Sequence, residues 1–238
     1  MKLKANQTAP RDRIILALDV PDRERALQLV RHLREFVGMF KVGLQLYIAE
    51  GPEIVKAILA EGVAVFLDLK LHDIPNTLVR AVESAAKLGV SMLTLHLAGG
   101  DEMIRAAVKA APPDLLLLGV TVLTSSSEKT LSQTGIAGAV DDQVLRLARL
   151  GRASGVRGFV ASAQELPSLR RELGDEAQLV IPGIRLSGGD TGDQKRVMTP
   201  GNAIRAGANF LVIGRPITAA VDPRAVCREI SAEIAALS

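Results

Sequence analysis

The 238-residue sequence contains no tryptophan, one tyrosine and five phenylalanines. With so few rings, a core has to be filled by Val, Ile, Leu and Ala, the side chains that pack parallel strands buried on both faces. Cys227 is the single cysteine, which rules out an internal disulfide and permits a reducing compartment. It falls in an apolar helical pattern and reads as a buried bystander. No segment approaches the ~20 apolar residues of a membrane span. The start of the chain carries Lys2 and Lys4 but no apolar stretch of the signal-peptide kind. A cytoplasmic protein is therefore expected, with no membrane partner. Neither charge sign dominates: the net charge is only +3. Without a basic stripe or stacking aromatics, nucleic acid is excluded as a partner, whereas a small positive balance suits a phosphorylated small molecule. No Gly-x-Gly-x-x-Gly follows the first strand pattern and no serine nucleophile elbow occurs, so dinucleotide binding and that form of acyl transfer are also excluded.

What the sequence does have is repetition of short apolar runs. They lie at residues 14–18, 39–42, 64–69, 92–97, 115–123, 158–161, 179–181 and 210–213, each of strand length and rich in Val, Ile and Leu. Between them come stretches of helical period, such as 23–36, 77–88 and 144–154. In the first, Ala26, Leu29, Val30 and Leu33 share one face. Eight strands alternating with helices, with polar residues at many strand ends, predict α/β architecture in the form of a single (β/α)₈ barrel. Residues 1–10 are expected to be a flexible tail and 11–238 the barrel domain. The longest irregular segments, 124–138 and 182–200, read as functional lids or binding loops.

The chemistry concentrates on Val65-Phe66-Leu67-Asp68-Leu69-Lys70. Strand alternation puts Phe66, Asp68 and Lys70 on one face and Val65, Leu67 and Leu69 on the other. Asp68 and Lys70 then point into the barrel mouth, where buried charges must be paired. An isolated Asp-x-Lys is more commonly a structural ion pair. Here Asp73 follows just beyond the strand, and Asp19 and Lys41 belong to the two preceding strands. Two lysines and three aspartates thus converge on the face where barrels carry their active sites.

The stretch Asp68-Leu69-Lys70-Leu71-His72-Asp73-Ile74-Pro75-Asn76-Thr77 resembles the signature of bacterial orotidine 5′-monophosphate decarboxylases. Further matches follow in the family's order: Leu16-Ala17-Leu18-Asp19, Lys41-Val42-Gly43, Thr121-Val122-Leu123-Thr124-Ser125, Pro182-Gly183-Ile184-Arg185 and Gly214-Arg215-Pro216-Ile217. The resemblance implies decarboxylation of orotidine 5′-monophosphate to uridine 5′-monophosphate, the last step of pyrimidine nucleotide synthesis, with neither metal nor cofactor. It also implies roles. Lys70 is similar to the family's proton donor and Asp68 to the carboxylate set against the leaving group. Lys41 would link this array to the ribose, and Asp19 would bind the ribose. Asp73 and Thr77 resemble residues that reach across a homodimer into the partner's site. Thr124 is similar to a ligand contact in the loop after strand 5, with Ser125, Ser126 and Ser127 left open as pyrimidine contacts. Arg185, Gln194, Gly214 and Arg215 resemble the phosphate-binding group.

A phosphate site also follows from the residues themselves. Gly183, Gly188, Gly189 and Gly192 can bring backbone N–H groups close to an anion after strand 7. Arg215 after strand 8 offers a bidentate fork, and barrels frequently bind phosphate with these two loops. The histidines carry less. His96 ends a strand, where a hydrogen-bonded structural role is commoner than a ligand role. His72 points away from Lys70 if strand alternation continues, and His32 lies on a helix surface. His72 and His96 have no third partner at zinc spacing. Two other readings remain: a barrel enzyme of the 3-keto-L-gulonate 6-phosphate decarboxylase type, and a non-catalytic barrel that binds a phosphorylated ligand. The His72-to-Thr77 continuation argues against the first, and the cost of assembling so many buried charges against the second.

Overall fold

Along each strand, successive residues belong alternately to two different cores. Ile15, Ala17, Met39, Phe66, Met92, Leu118, Val180, Phe210 and Val212 pack together inside the barrel. Their neighbours Ile14, Leu16, Phe40, Val42, Val65, Leu67 and Leu211 pack outward against the helices. This two-residue alternation, with both faces apolar, is what the aromatic-poor composition requires.

The computed structural model describes residues 9–186 and 198–237. A 3₁₀ turn, Pro10–Arg13, leads into β1 (Ile14–Ala17), α1 (Arg23–Leu33), β2 (Met39–Gly43), α2 (Leu44–Glu50), α3 (Pro52–Ala60), β3 (Ala64–Leu71) and α4 (Pro75–Leu88). These are followed by β4 (Met92–His96), α5 (Gly100–Ala110), β5 (Leu116–Val120), α6 (Glu128–Gln133), α7 (Val140–Ala153) and β6 (Gly158–Val160). The last elements are α8 (Leu166–Leu173), β7 (Gln178–Ile181), α9 (Pro200–Arg205), β8 (Phe210–Ile213), α10 (Arg215–Thr218) and α11 (Pro223–Ala235). All strand pairs are parallel, each strand neighbours the next, and β8 pairs with β1, so the sheet closes as the expected (β/α)₈ barrel. Most of the expected tail, residues 1–8, lies outside the described residues.

Local chemistry explains the helix limits. The Asp22 side chain caps α1 by accepting from Arg25 N–H at 2.8 Å, and Ala26, Leu29, Val30 and Leu33 are its buried face, as the sequence predicts. Pro75 opens α4, and Gly89, in the left-handed region at φ 84°, ends it. Close packing also uses missing side chains. Leu97, just beyond β4, fills the space over Gly119 and Gly151. A Cβ at those positions would lie 2.6 Å and 2.8 Å from its Cδ2. No helix of the described residues is long and apolar enough to cross a membrane.

Three expectations are corrected. The strand expected over 115–123 ends at Val120, because β6 offers no carbonyl ladder beyond Val160. Thr121 N–H already bonds only to that last residue, at 3.3 Å, and Leu123 is exposed. The segment 124–138, read as irregular, contains α6, which Ser127 caps by accepting from Thr130 N–H. Finally, strand alternation does not continue through Lys70. From Leu67 to Leu71, β3 advances four residues while β4 advances two, from Leu93 to Leu95, so two extra residues bulge out. Lys70 takes φ +50° at this bulge and is the non-glycine with positive φ among the described residues.

Candidate active site

Four charged side chains form an alternating row at the carboxyl ends of β1, β2 and β3. Lys41 Nζ donates to Asp19 Oδ1 at 3.0 Å and lies 3.9 Å from Asp68 Oδ2. Lys70 Nζ donates to both carboxylate oxygens of Asp68 at 2.9 Å. The row is therefore Asp19, Lys41, Asp68, Lys70, with two charges of each sign. Lys41 is the most buried, its side chain 10% exposed, against 14% for Asp68, 30% for Lys70 and 61% for Asp19. A buried ammonium beside two carboxylates is paired on both sides, which is the condition for keeping such charges out of water. The outer members, Asp19 and Lys70, open to solvent and are the ones a ligand can reach.

The bulge in β3 is what aims this row. A left-handed conformation costs an L-residue roughly 1–2 kcal/mol, so something must hold Lys70 there. Thr94 of β4 does so. Its Oγ1 accepts from Lys70 N–H at 2.9 Å and donates to Asp68 Oδ1 at 2.9 Å, and the residue is fully buried. Thr94 did not figure among the sequence candidates. The signal was legible, since Met92, Thr94 and His96 alternate onto the barrel interior, and a hydroxyl between apolar neighbours there needs a polar partner.

Other candidates are placed as follows. Asp73 and Thr77 are exposed beyond β3. Asp73 accepts from the N–H of Ile74 at 2.7 Å and makes no ion pair with a described residue of its own chain. The structure thus joins Asp19 and Asp68 to the lysines and leaves Asp73 outside the row. Thr124 is half-buried in the turn after β5. Arg185 N–H donates to Met198 O at 3.1 Å, bridging the two sides of the loop after β7. Gly214 follows β8 with its Cα facing Ala17 and Asp19, and Arg215 opens α10 with an exposed side chain. Gln194, Gly188, Gly189 and Gly192 lie outside the described residues.

His96 ends β4, half-buried, with its ring 5.7 Å from that of the exposed His72. The two rings meet because alternation fails at Lys70. Burial chiefly, then the neighbouring His72 and the Lys70 ammonium, holds the His96 imidazole below its ordinary range, opposed by Asp68. His32 is exposed, as expected. Cys227 is buried, and burial pushes its thiol up to about 11. Among the described residues no group of three or more His, Cys, Asp or Glu is gathered as a metal site. A cavity of about 650 Å³ sits at the opposite end of the barrel, where Ser91, Asp114, Leu116, Arg157 and Gln178 mark the starts of β4 to β7. The charge row, not this cavity, marks the face where barrels do chemistry.

Comparison with known proteins places this geometry among relatives. Residues 12–230 match the family described as Orotidine 5'-phosphate decarboxylase / HUMPS. The orotidine 5'-phosphate decarboxylase of Nitrosococcus oceani is 51% identical over 227 residues, covering 94% of this chain and 98% of its own. That of Moorella thermoacetica is 48% identical, covering 94% and 92%. The crystal structure of orotidine 5'-phosphate decarboxylase from Lactobacillus acidophilus superposes with a TM-score of 0.83 at 34% identity, over 93% of this chain and 98% of that one. A barrel matched over nearly its whole length, with its charged row across the ends of the first three strands, belongs to the Orotidine 5'-phosphate decarboxylase / HUMPS family.

Proposed function

We propose that this protein converts orotidine 5′-monophosphate to uridine 5′-monophosphate and carbon dioxide, using fixed charge rather than a cofactor. The observation that carries this reading is the bidentate pair of Lys70 and Asp68 at the barrel mouth, continued through Lys41 to Asp19. Breaking the bond between C6 and the carboxylate leaves its electron pair on C6, where no adjacent π-system accepts it. The Lys70 ammonium, set beside that carbon, stabilises the developing charge and then delivers a proton to C6. Lys70 is left neutral and regains a proton from solvent. Preorganised charge of this kind is often the largest catalytic contribution. Asp68 faces the substrate carboxylate and disfavours it relative to the carbanion. Lys41 couples Asp68 to Asp19, linking the charge row to the ribose, which Asp19 binds.

Thr124 contacts the substrate from the turn after β5. Arg185, Gln194, Gly214 and Arg215 hold the phosphate, whose binding energy is used far from the reacting carbon to organise the loops. Asp73 and Thr77 act in the site of a second copy. In support, Leu44 and Ile48 of α2 and Ile74, next to Asp73 and ahead of α4, are large apolar side chains exposed on adjacent βα units, which suits an identical partner.

The loss of orotidine 5′-monophosphate absorbance tests the activity. Wild-type protein bleaches it. Lys70→Ala abolishes turnover while nucleotide binding persists. A kcat retained within about tenfold, ~1.4 kcal/mol of barrier, would overturn the role given to Lys70. A wild-type protein that binds the nucleotide without bleaching it would overturn the activity itself.

A further inference from the structure

We infer that Thr94 is a positioning residue for the reaction, fixing through one hydroxyl both the backbone of the proton donor and the orientation of the carboxylate beside it. The inference rests on the activity proposed above. Three observations carry it. Thr94 Oγ1 accepts from Lys70 N–H and donates to Asp68 Oδ1, each at 2.9 Å. The residue is fully buried, so no water substitutes for either bond. Lys70 holds a positive φ inside a bulge where its N–H has left the β3–β4 ladder.

The direction of the two bonds is forced. A backbone N–H can only donate, so the hydroxyl oxygen accepts from Lys70, and its own hydrogen is left for the carboxylate. A carboxylate that accepts this hydrogen bond, and both contacts from Lys70 Nζ, has one of its two oxygens shared between Thr94 and the lysine. Thr94 therefore sets where the Asp68 plane lies and, through the Lys70 backbone, where the ammonium begins its reach. Without the hydroxyl, Lys70 is free to relax to negative φ. Its side chain would then leave from a different direction, although every charged group remains present. Misplacement by about an ångström is enough to cost a large factor in rate.

The test compares Thr94→Val, which keeps the shape and removes the hydroxyl, with Thr94→Ser, which keeps the hydroxyl. For Thr94→Val the expected result is a kcat at least about tenfold lower, with KM within about threefold. Calorimetric binding of uridine 5′-monophosphate should keep its wild-type stoichiometry. Thr94→Ser should return kcat to within about threefold of wild type. A merely structural role would lower the competent fraction and hence the stoichiometry, and that result overturns the inference. So does a Thr94→Val kcat within about threefold of wild type, or a serine variant that folds but is not rescued. If Thr94→Val does not fold, Thr94→Ala carries the same expectation. If neither folds, the hydroxyl is a folding determinant and the positioning role falls. Wild-type protein run alongside separates the two readings: should it fail to bleach orotidine 5′-monophosphate, the proposed activity fails, whereas normal wild-type turnover with an unaffected Thr94→Val overturns only the role of Thr94.

Discussion

The ammonium of Lys41 lies where a side chain on Gly43 would crowd it. A Cβ on Gly43 would stand 3.0 Å from Lys41 Nζ and 3.4 Å from Asp19 Oδ1, tight against the very pair that anchors the charge row. The backbone there, at φ −95° and ψ −177°, is open to any residue, so it is the neighbouring ammonium and not the main chain that asks for glycine. Gly43→Ala is therefore expected to fold with near-normal stability and to displace Lys41 by a few tenths of an ångström. kcat/KM should fall by about tenfold, with the unfolding free energy measured in urea within about 0.5 kcal/mol of wild type. Steady-state kinetics beside urea unfolding checks both halves.

Action in trans can be tested by mixing two dead proteins. If Asp73 serves the partner's site, a hybrid of Lys70→Ala and Asp73→Asn chains contains one intact site, built from the wild-type Lys70 of one chain and the wild-type Asp73 of the other. Random exchange should restore about a quarter of wild-type activity. If Asp73 serves its own chain, no hybrid holds an intact site and no activity returns.

The proposed phosphate group has a simpler signature. If Arg215 at the start of α10 holds the phosphate, Arg215→Ala removes a bidentate fork and is expected to raise KM by about tenfold or more, with a smaller fall in kcat. Unchanged KM and kcat would remove Arg215 from the phosphate group.

The pH dependence of stability has a definite sign at His96. Burial, with help from His72 and Lys70, lowers its folded-state value below the ordinary 6.5. Below 6.5 the unfolded chain then binds the proton that the folded chain refuses, so stability rises with pH across that window and is lost as pH falls through it. Replacing His96 by Gln is expected to flatten this part of the acid loss. Urea midpoints for both proteins between about pH 7 and pH 5 decide the matter. A parallel decline in the two would assign the loss to other groups.

Much of this is legible in the sequence. The barrel follows from runs of Val, Ile and Leu whose spacing matches β1 to β8, and the buried face of α1 follows from a 3.6-residue period. The alternation that puts Asp68 with Phe66 on the inward face also holds. What failed did so where local rules give way to neighbours. α6 has six residues, too few to show a period, and is announced only by the capping hydroxyl of Ser127. The bulge at Lys70 has no glycine to mark it. Its positive φ depends on Thr94 of the next strand, which no rule about consecutive residues detects. His72 meets His96 for the same reason.

The seat of Leu97 over Gly119 and Gly151 makes three positions with no chemistry of their own depend on one another. Any methyl gained at either glycine has to be matched by volume surrendered at Leu97, and Leu97 adjoins His96 at the rim of the catalytic face. Substitutions at these positions are thus coupled through bulk. A designer who enlarges the wall behind β5 must repack the base of the fourth loop at the same time.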